Sequence, residues 1–232
     1  MNHLDRYTET IKGVSFDLIF IKGGTLMLGK LGQQVTIPDF WIGETLVTQE
    51  LWEAVLGENP SRFKSRRRPV DSVSWYKIQR EFLPALNKLA KQNNSPFQYQ
   101  LPSEPCWEYA ASAGESFEYA GSDDLHQVGW YSRNSHFQTK PVKLKKPNAW
   151  GLYDMSGNLF EWTNTRYHQN SCEDYIEAIA TVKENDKIVL RGGSWSFDSD
   201  YCCSANRNGY IPSNGSFSDG FRFSSIRNAL FS

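Results

Sequence analysis

The chain has 232 residues, 39% of them hydrophobic and 14% aromatic, with a net charge of −1. That supports a real core pinned by large side chains, and it excludes recruitment to nucleic acid or anionic membrane by a global basic field. No run approaches the ~18 apolar residues of a membrane-spanning helix, so no transmembrane segment is expected.

No signal-peptide pattern follows Met1. The start reads either as a cytoplasmic terminus or as a chain beginning downstream of an export signal. Residues 17–21, ahead of Lys22-Gly23-Gly24, predict a strand running into a turn. Residues 25–29, 34–37 and 40–42 predict three more. A helix over 48–57 is predicted from Thr48 as N-cap, from Leu51, Trp52, Val55 and Leu56 on one face, and from Gly57 as the stop. The basic run Lys64-Ser65-Arg66-Arg67-Arg68 reads as a solvated loop. A second helix over 74–91 follows from Ile78, Phe82, Leu86 and Leu89 at spacings of three and four, kinked at Pro84. Ser103 starts a third over 103–113. Periodicity fades beyond Gly114, and 168–186 reads as an insertion or loop. With neither internal repeat nor linker, residues 1–232 read as a single domain.

Cys106, Cys172, Cys202 and Cys203 contain no CxxC pair, and the adjacent Cys202 and Cys203 are poorly placed to bond to each other. His3, His126, His136 and His168 have no metal-binding helical spacing.

The C-terminal segment is unusual in another way. Residues 196–219 contain no Lys, Glu, Gln, Met or Trp, although these types make up about a fifth of the chain. The types present can all be written by codons ending in a pyrimidine, and the five absent types cannot. Asn codons with randomised adenines would give this alphabet; a Ser/Gly/Asn-rich surface loop is the plainer alternative.

Ordered motifs run along the chain: Ile21-Lys22-Gly23-Gly24, Val47-Thr48-Gln49 with Trp52, Pro69-Val70-Asp71-Ser72-Val73-Ser74-Trp75, and Leu101-Pro102-Ser103-Glu104 with Trp107. Then come Asn148-Ala149-Trp150-Gly151-Leu152-Tyr153-Asp154-Met155-Ser156-Gly157-Asn158-Leu159-Phe160-Glu161-Trp162, Arg191-Gly192-Gly193-Ser194-Trp195 and Gly220-Phe221-Arg222. The series resembles the formylglycine-generating enzyme, or sulfatase-modifying factor, domain family over residues 15–224. The resemblance implies an α+β class, a C-type lectin fold of the formylglycine-generating enzyme type with much irregular structure.

Enzymes of that family use a pair of cysteines, five residues apart, to hold copper. Here the first position is Phe197, and only Cys202 falls near the second. The resemblance therefore implies a non-enzyme, with an oxidase of the formylglycine-generating type as the alternative. At the C-terminus the chain is similar to the variable proteins of diversity-generating retroelements, through Trp195, Cys202, Ser204-Ala205-Asn206-Arg207, Pro212 and Gly220-Phe221-Arg222. That likeness implies a diversified binding face within about 191–223, on a fixed scaffold.

The positions expected to vary and to bind are Ser196, Phe197, Asp198, Asp200, Tyr201, Cys203, Gly209, Tyr210, Ile211, Ser213, Ser216, Phe217, Ser218 and Asp219. Tyr and Phe interleaved with Ser, Gly and Asp suit a paratope. The plainer alternative is that two or three of Phe197, Tyr201, Tyr210, Ile211 and Phe217 are core, Phe217 first among them; Cys203 is a candidate for burial. Arg207 and Arg222 are expected to hold loop carbonyls or a carboxylate.

No cofactor is expected to be required. The family resemblance does imply a possible structural calcium (Ca2+) bound by side-chain oxygens of Asp154 and Glu161 and by the carbonyls of Gly157 and Leu159. The other reading is that Glu161 bonds backbone amides and closes its loop without metal. The expected partner is an unknown protein or surface ligand, on a host or neighbouring cell, and not nucleic acid. The chain is expected to act as a monomer at the cell surface or outside the cell if an export signal lies beyond this sequence, and otherwise in the cytoplasm.

Overall fold

A computed structural model describes residues 5–28, 33–168, 182–183 and 185–227. Its largest sheet has five strands: β1 (Arg6–Ile11), β2 (Val14–Ile21), β5 (Phe40–Gly43), β6 (Phe97–Gln100) and β11 (Ser224–Arg227), in the order β1-β2-β5-β11-β6. All its pairings are antiparallel. β11, from the far end of the chain, lies between β5 and β6, so the C-terminal segment is locked into the N-terminal sheet. β3 (Gly24–Leu28) and β4 (Gln33–Ile37) form a separate hairpin. A second sheet of four strands has the order β10-β7-β8-β9, from β7 (Phe160–Arg166), β8 (Ile188–Arg191), β9 (Arg207–Tyr210) and β10 (Asp219–Gly220). Its β10–β7 pair is parallel.

The predicted helices form, with one change. α1 (Gln49–Leu56) is capped by the Thr48 hydroxyl, which accepts from the Leu51 N–H, and it stops at Gly57 in the left-handed conformation. The second helix is not simply kinked. α2 (Trp75–Lys77) passes through a π turn (Ile78–Phe82) into α3 (Leu83–Gln92). Pro84 lacks an N–H and would clash with the carbonyl four residues back. The wider turn, closed by the Leu83 N–H on the Ile78 carbonyl, absorbs that conflict and leaves Pro84 in the first turn of α3. α4 (Glu104–Ser112) starts at Ser103, whose hydroxyl accepts from the Cys106 N–H, and α5 (Leu125–Val128) is a short turn.

β1 and β6 were not legible in the sequence. The β1–β2 hairpin turns through Lys12 and Gly13, both at positive φ, and no Asn-Gly or Asp-Gly signal marks it. Of the loop expected over 168–186, residues 169–181 and 184 lie outside the described residues.

Two apolar clusters carry the fold. In one, Trp52 stacks on Phe82 at 4.9 Å, and Phe221 meets both rings edge-on. In the other, Trp107 of α4 packs with Leu152, Met155 and residues of β2 to β5. Residues 196–219 carry β9 and the first residue of β10, and Phe197 packs against the first cluster.

Candidate functional site

The frame of the segment is buried and polar. Arg191, Arg222, Glu104 and Glu161 are all fully buried. Glu161 sits on β7 with Arg191 on one neighbouring strand and Gly220 on the other. Arg222 grips Glu161 at two points, Nε to Oε2 and Nη2 to Oε1, each 2.7 Å. The Trp107 indole N–H donates to the same carboxylate at 2.8 Å. Arg222 also donates to the carbonyls of Gly43 and Tyr153. Arg191 pairs with Glu104 and Glu108, and donates to the Ser204 carbonyl. Arg207 meets Glu104 at 2.6 and 2.8 Å. The arginines of the frame thus hold carboxylates and carbonyls, as the sequence suggested.

This arrangement does not fit a calcium cage. A cation at Glu161 would have to displace the Arg222 guanidinium. Asp154 instead accepts from the Lys143 N–H and the Asn158 amide, and burial pushes its carboxyl up to about 6. Among the described residues no group of three His, Cys, Asp or Glu is placed to hold a metal. Neither reading of Glu161 anticipated an arginine as its partner.

Gly192 and Gly193 both have positive φ. A Cβ on Gly193 would lie 2.5 Å from Cys202 Sγ and 2.8 Å from the Tyr201 carbonyl. The chain can fold back on itself there only with glycine. Trp195 anchors the turn: its N–H donates to Asn158, its carbonyl accepts from Ser135 Oγ, and its indole donates to the Phe217 carbonyl at 3.0 Å. Further ties run from Ser132 N to Phe197 O, from Ser204 N to Glu118 O, and from Ser72 N to Ser216 O. The backbone of 196–219 is therefore held largely by residues outside it.

On that frame Tyr201, Tyr210, Ile211 and Phe217 are exposed by 42, 38, 41 and 41%. Asp198, Asp200 and Ser213 are exposed too, while Ser196, Phe197, Cys203, Gly209 and Ser216 are half-buried. Phe217, the first candidate for the core under the plainer alternative, is exposed instead. Its ring centre lies 5.8 Å from that of Trp195, with the planes tilted by 41°, and the Arg62 guanidinium lies 4.8 Å from it. Phe197 is the more enclosed ring, packed edge-on against Phe160 and Tyr201 at 5.0 Å each.

Ser218 and Asp219 are corrections. Both are buried, Ser218 meeting Ser196 at 2.9 Å between hydroxyls and Asp219 accepting from the Ser216 N–H. The parallel pairing of Asp219 with Phe160 draws the chain inward at this point. Burial pushes the Asp219 carboxyl up to about 7. Gly209 is also constrained, because a Cβ there would lie 2.4 Å from the Tyr167 ring.

Cys202 is fully buried, and burial with the neighbouring Cys203 pushes its thiol up to about 12. Cys203 donates to Glu118, and its thiol is also raised, first by burial, to about 11. Arg62 and Glu118, which touch the segment from elsewhere, have no motif that would have marked them in advance.

The model of the sulfatase-modifying factor enzyme 1-like domain matches residues 9–227. The solved structure of Treponema denticola variable protein 1 is similar, with 30% identity, a TM-score of 0.81, and coverage of 96% of this chain and 99% of that one. Chaperone protein LppX of Paenibacillus barcinonensis is 32% identical over 78% of this chain and 79% of its own length. The formylglycine-generating enzyme of Streptomyces coelicolor is 32% identical over 53% of this chain, a match spanning 45% of that enzyme.

Proposed function

Because this chain belongs to the sulfatase-modifying factor enzyme 1-like domain family, and a shared fold leaves the chemistry to the site, we propose that it is a non-catalytic binding protein. Its binding face is formed by the exposed side chains of residues 196–217, diversified on a fixed C-type lectin scaffold. The observation that carries this reading is the division of labour within one segment. Four large apolar side chains face solvent, while the backbone beneath them is tied to Ser72, Tyr76, Glu118 and Ser132. Exposed Tyr and Phe offer contact area at low entropic cost, and the neighbouring Ser and Asp add adaptable hydrogen bonds. The likeness to Treponema denticola variable protein 1 over nearly the whole chain supports the same reading.

The oxidase alternative is disfavoured by chemistry at the site. Phe197 stands where the family resemblance puts a first cysteine, and its ring is wedged between Phe160 and Tyr201. Cys202 is left as a single, buried, protonated thiol, which does not make a two-thiolate copper site. The partner is a protein or surface ligand on a host or neighbouring cell, met by a monomer displayed outside the cell.

Sequencing the locus from several isolates tests the proposal. Substitutions are expected to cluster at the exposed and half-buried positions of 196–217, with Arg191 to Trp195 and Gly220 to Arg222 constant. Differences spread evenly along the gene would overturn it.

A further inference from the structure

Beside the proposed face lies a groove of about 710 Å³, within the range of roughly 300–1,000 Å³ typical of ligand sites. One wall comes from the variable segment, through Asp200 and Cys203. The other comes from fixed parts of the chain: Met27 of β3 and the stretch Glu115 to Glu118 after α4. Met27 and Phe117 expose 59 and 43% of their surface along it. Glu115, Glu118 and Asp200 are exposed, and among the described residues none has an ion-pair partner. Among the described residues no lysine or arginine lines the groove. Ser204, also in the lining, is only 8% exposed, and its Oγ is buried without a hydrogen-bond partner. Such an unmet hydroxyl is costly to leave alone.

The geometry points to this groove as the seat of a lysine- or arginine-bearing segment of the partner protein. Met27 and Phe117 would cover the aliphatic stem, Phe117 would offer its ring face to the cation, and Glu115, Glu118 and Asp200 would take the charge. The Ser204 hydroxyl is left for a polar group of the same segment. Two of the three acids lie outside the varied set, so a preference for cationic partners would be common to all variants, with Asp200 and Cys203 tuning it. The neutral Cys203 thiol donates to Glu118 and ties the two walls together. This inference rests on the binding-face reading above.

The test uses the full chain and the peptide acetyl-Gly-Leu-Arg-Lys-Gly-amide, against its isostere with citrulline and acetyl-lysine. NMR follows the Met27 methyl and the amides of Glu118 and Ser204. The charged peptide is expected to shift these signals saturably. The isostere, and the double variant Glu118→Gln/Asp200→Asn, should bind about threefold to tenfold more weakly, the charged peptide losing affinity with salt. Equal binding of the two peptides, or no shift at the groove, would overturn the assignment. Shifts confined to Tyr201, Tyr210 and Phe217 would also overturn it, while leaving the binding-face reading standing.

Discussion

Trp195 and Tyr210 separate scaffold from surface within a few residues of chain. Trp195 is buried against Phe63 and fastened by its indole to the Phe217 carbonyl. Trp195→Ala should cost about 3–5 kcal/mol, and the cost, measured by urea unfolding, should be the same whatever side chains occupy 201, 210 and 211. Alanine at Tyr210 or Ile211 should change stability by only about 0.5 kcal/mol. A loss as large as that of Trp195→Ala would place these residues in the core.

Asp219 makes a prediction about pH. Its folded carboxyl is raised to about 7, well above the ordinary carboxylate range, by burial. Folding therefore favours its protonated form. That contribution is complete below about pH 4 and is lost as pH rises through 7. Asp219→Asn, which keeps an acceptor for the Ser216 N–H, should flatten the fall in stability between pH 5 and 8. An unchanged pH profile would show that Asp219 is not the titrating group.

At the scale of elements, the turns decide where the segment lies. Gly57 and Gly193 share the left-handed conformation, but a Cβ has open space at Gly57 and meets Cys202 at 2.5 Å at Gly193. Gly57→Ala should cost about 1 kcal/mol through backbone strain alone. Gly193→Ala should cost clearly more, because the turn after β8 must also open. Thermal unfolding of the two variants checks the order, and equal losses would mean that the close approach at Gly193 is relieved cheaply. α1, the start of the second helix and α4 were legible because caps and apolar spacing act within a few residues. The π turn was not, since its cause at Pro84 admits either a kink or a widened turn.

The whole molecule is closed by the buried pair of Arg222 and Glu161, separated by 61 positions in the chain. With the guanidinium in that site, millimolar calcium or its chelation should leave the thermal midpoint unchanged. A calcium-dependent rise would mean that a cation binds the folded state. Incubation with copper and a cysteine-containing sulfatase peptide should give no aldehyde above the metal-only control, and aldehyde formation would restore the oxidase reading.

The family motifs and their order, the main helices with their caps, and the stretch 196–219 with its restricted alphabet can all be read along the chain. Each is written in short-range spacing or in composition. Long-range packing turns Phe217 out and Ser218 and Asp219 in. It places Arg222 against Glu161, and Met27 and Glu118 across a groove from Asp200. The reason is physical: exposure and ion pairing depend on which distant segments the sheets bring together. Neighbours along the chain, such as Phe217 and Ser218, can end on opposite sides of the surface.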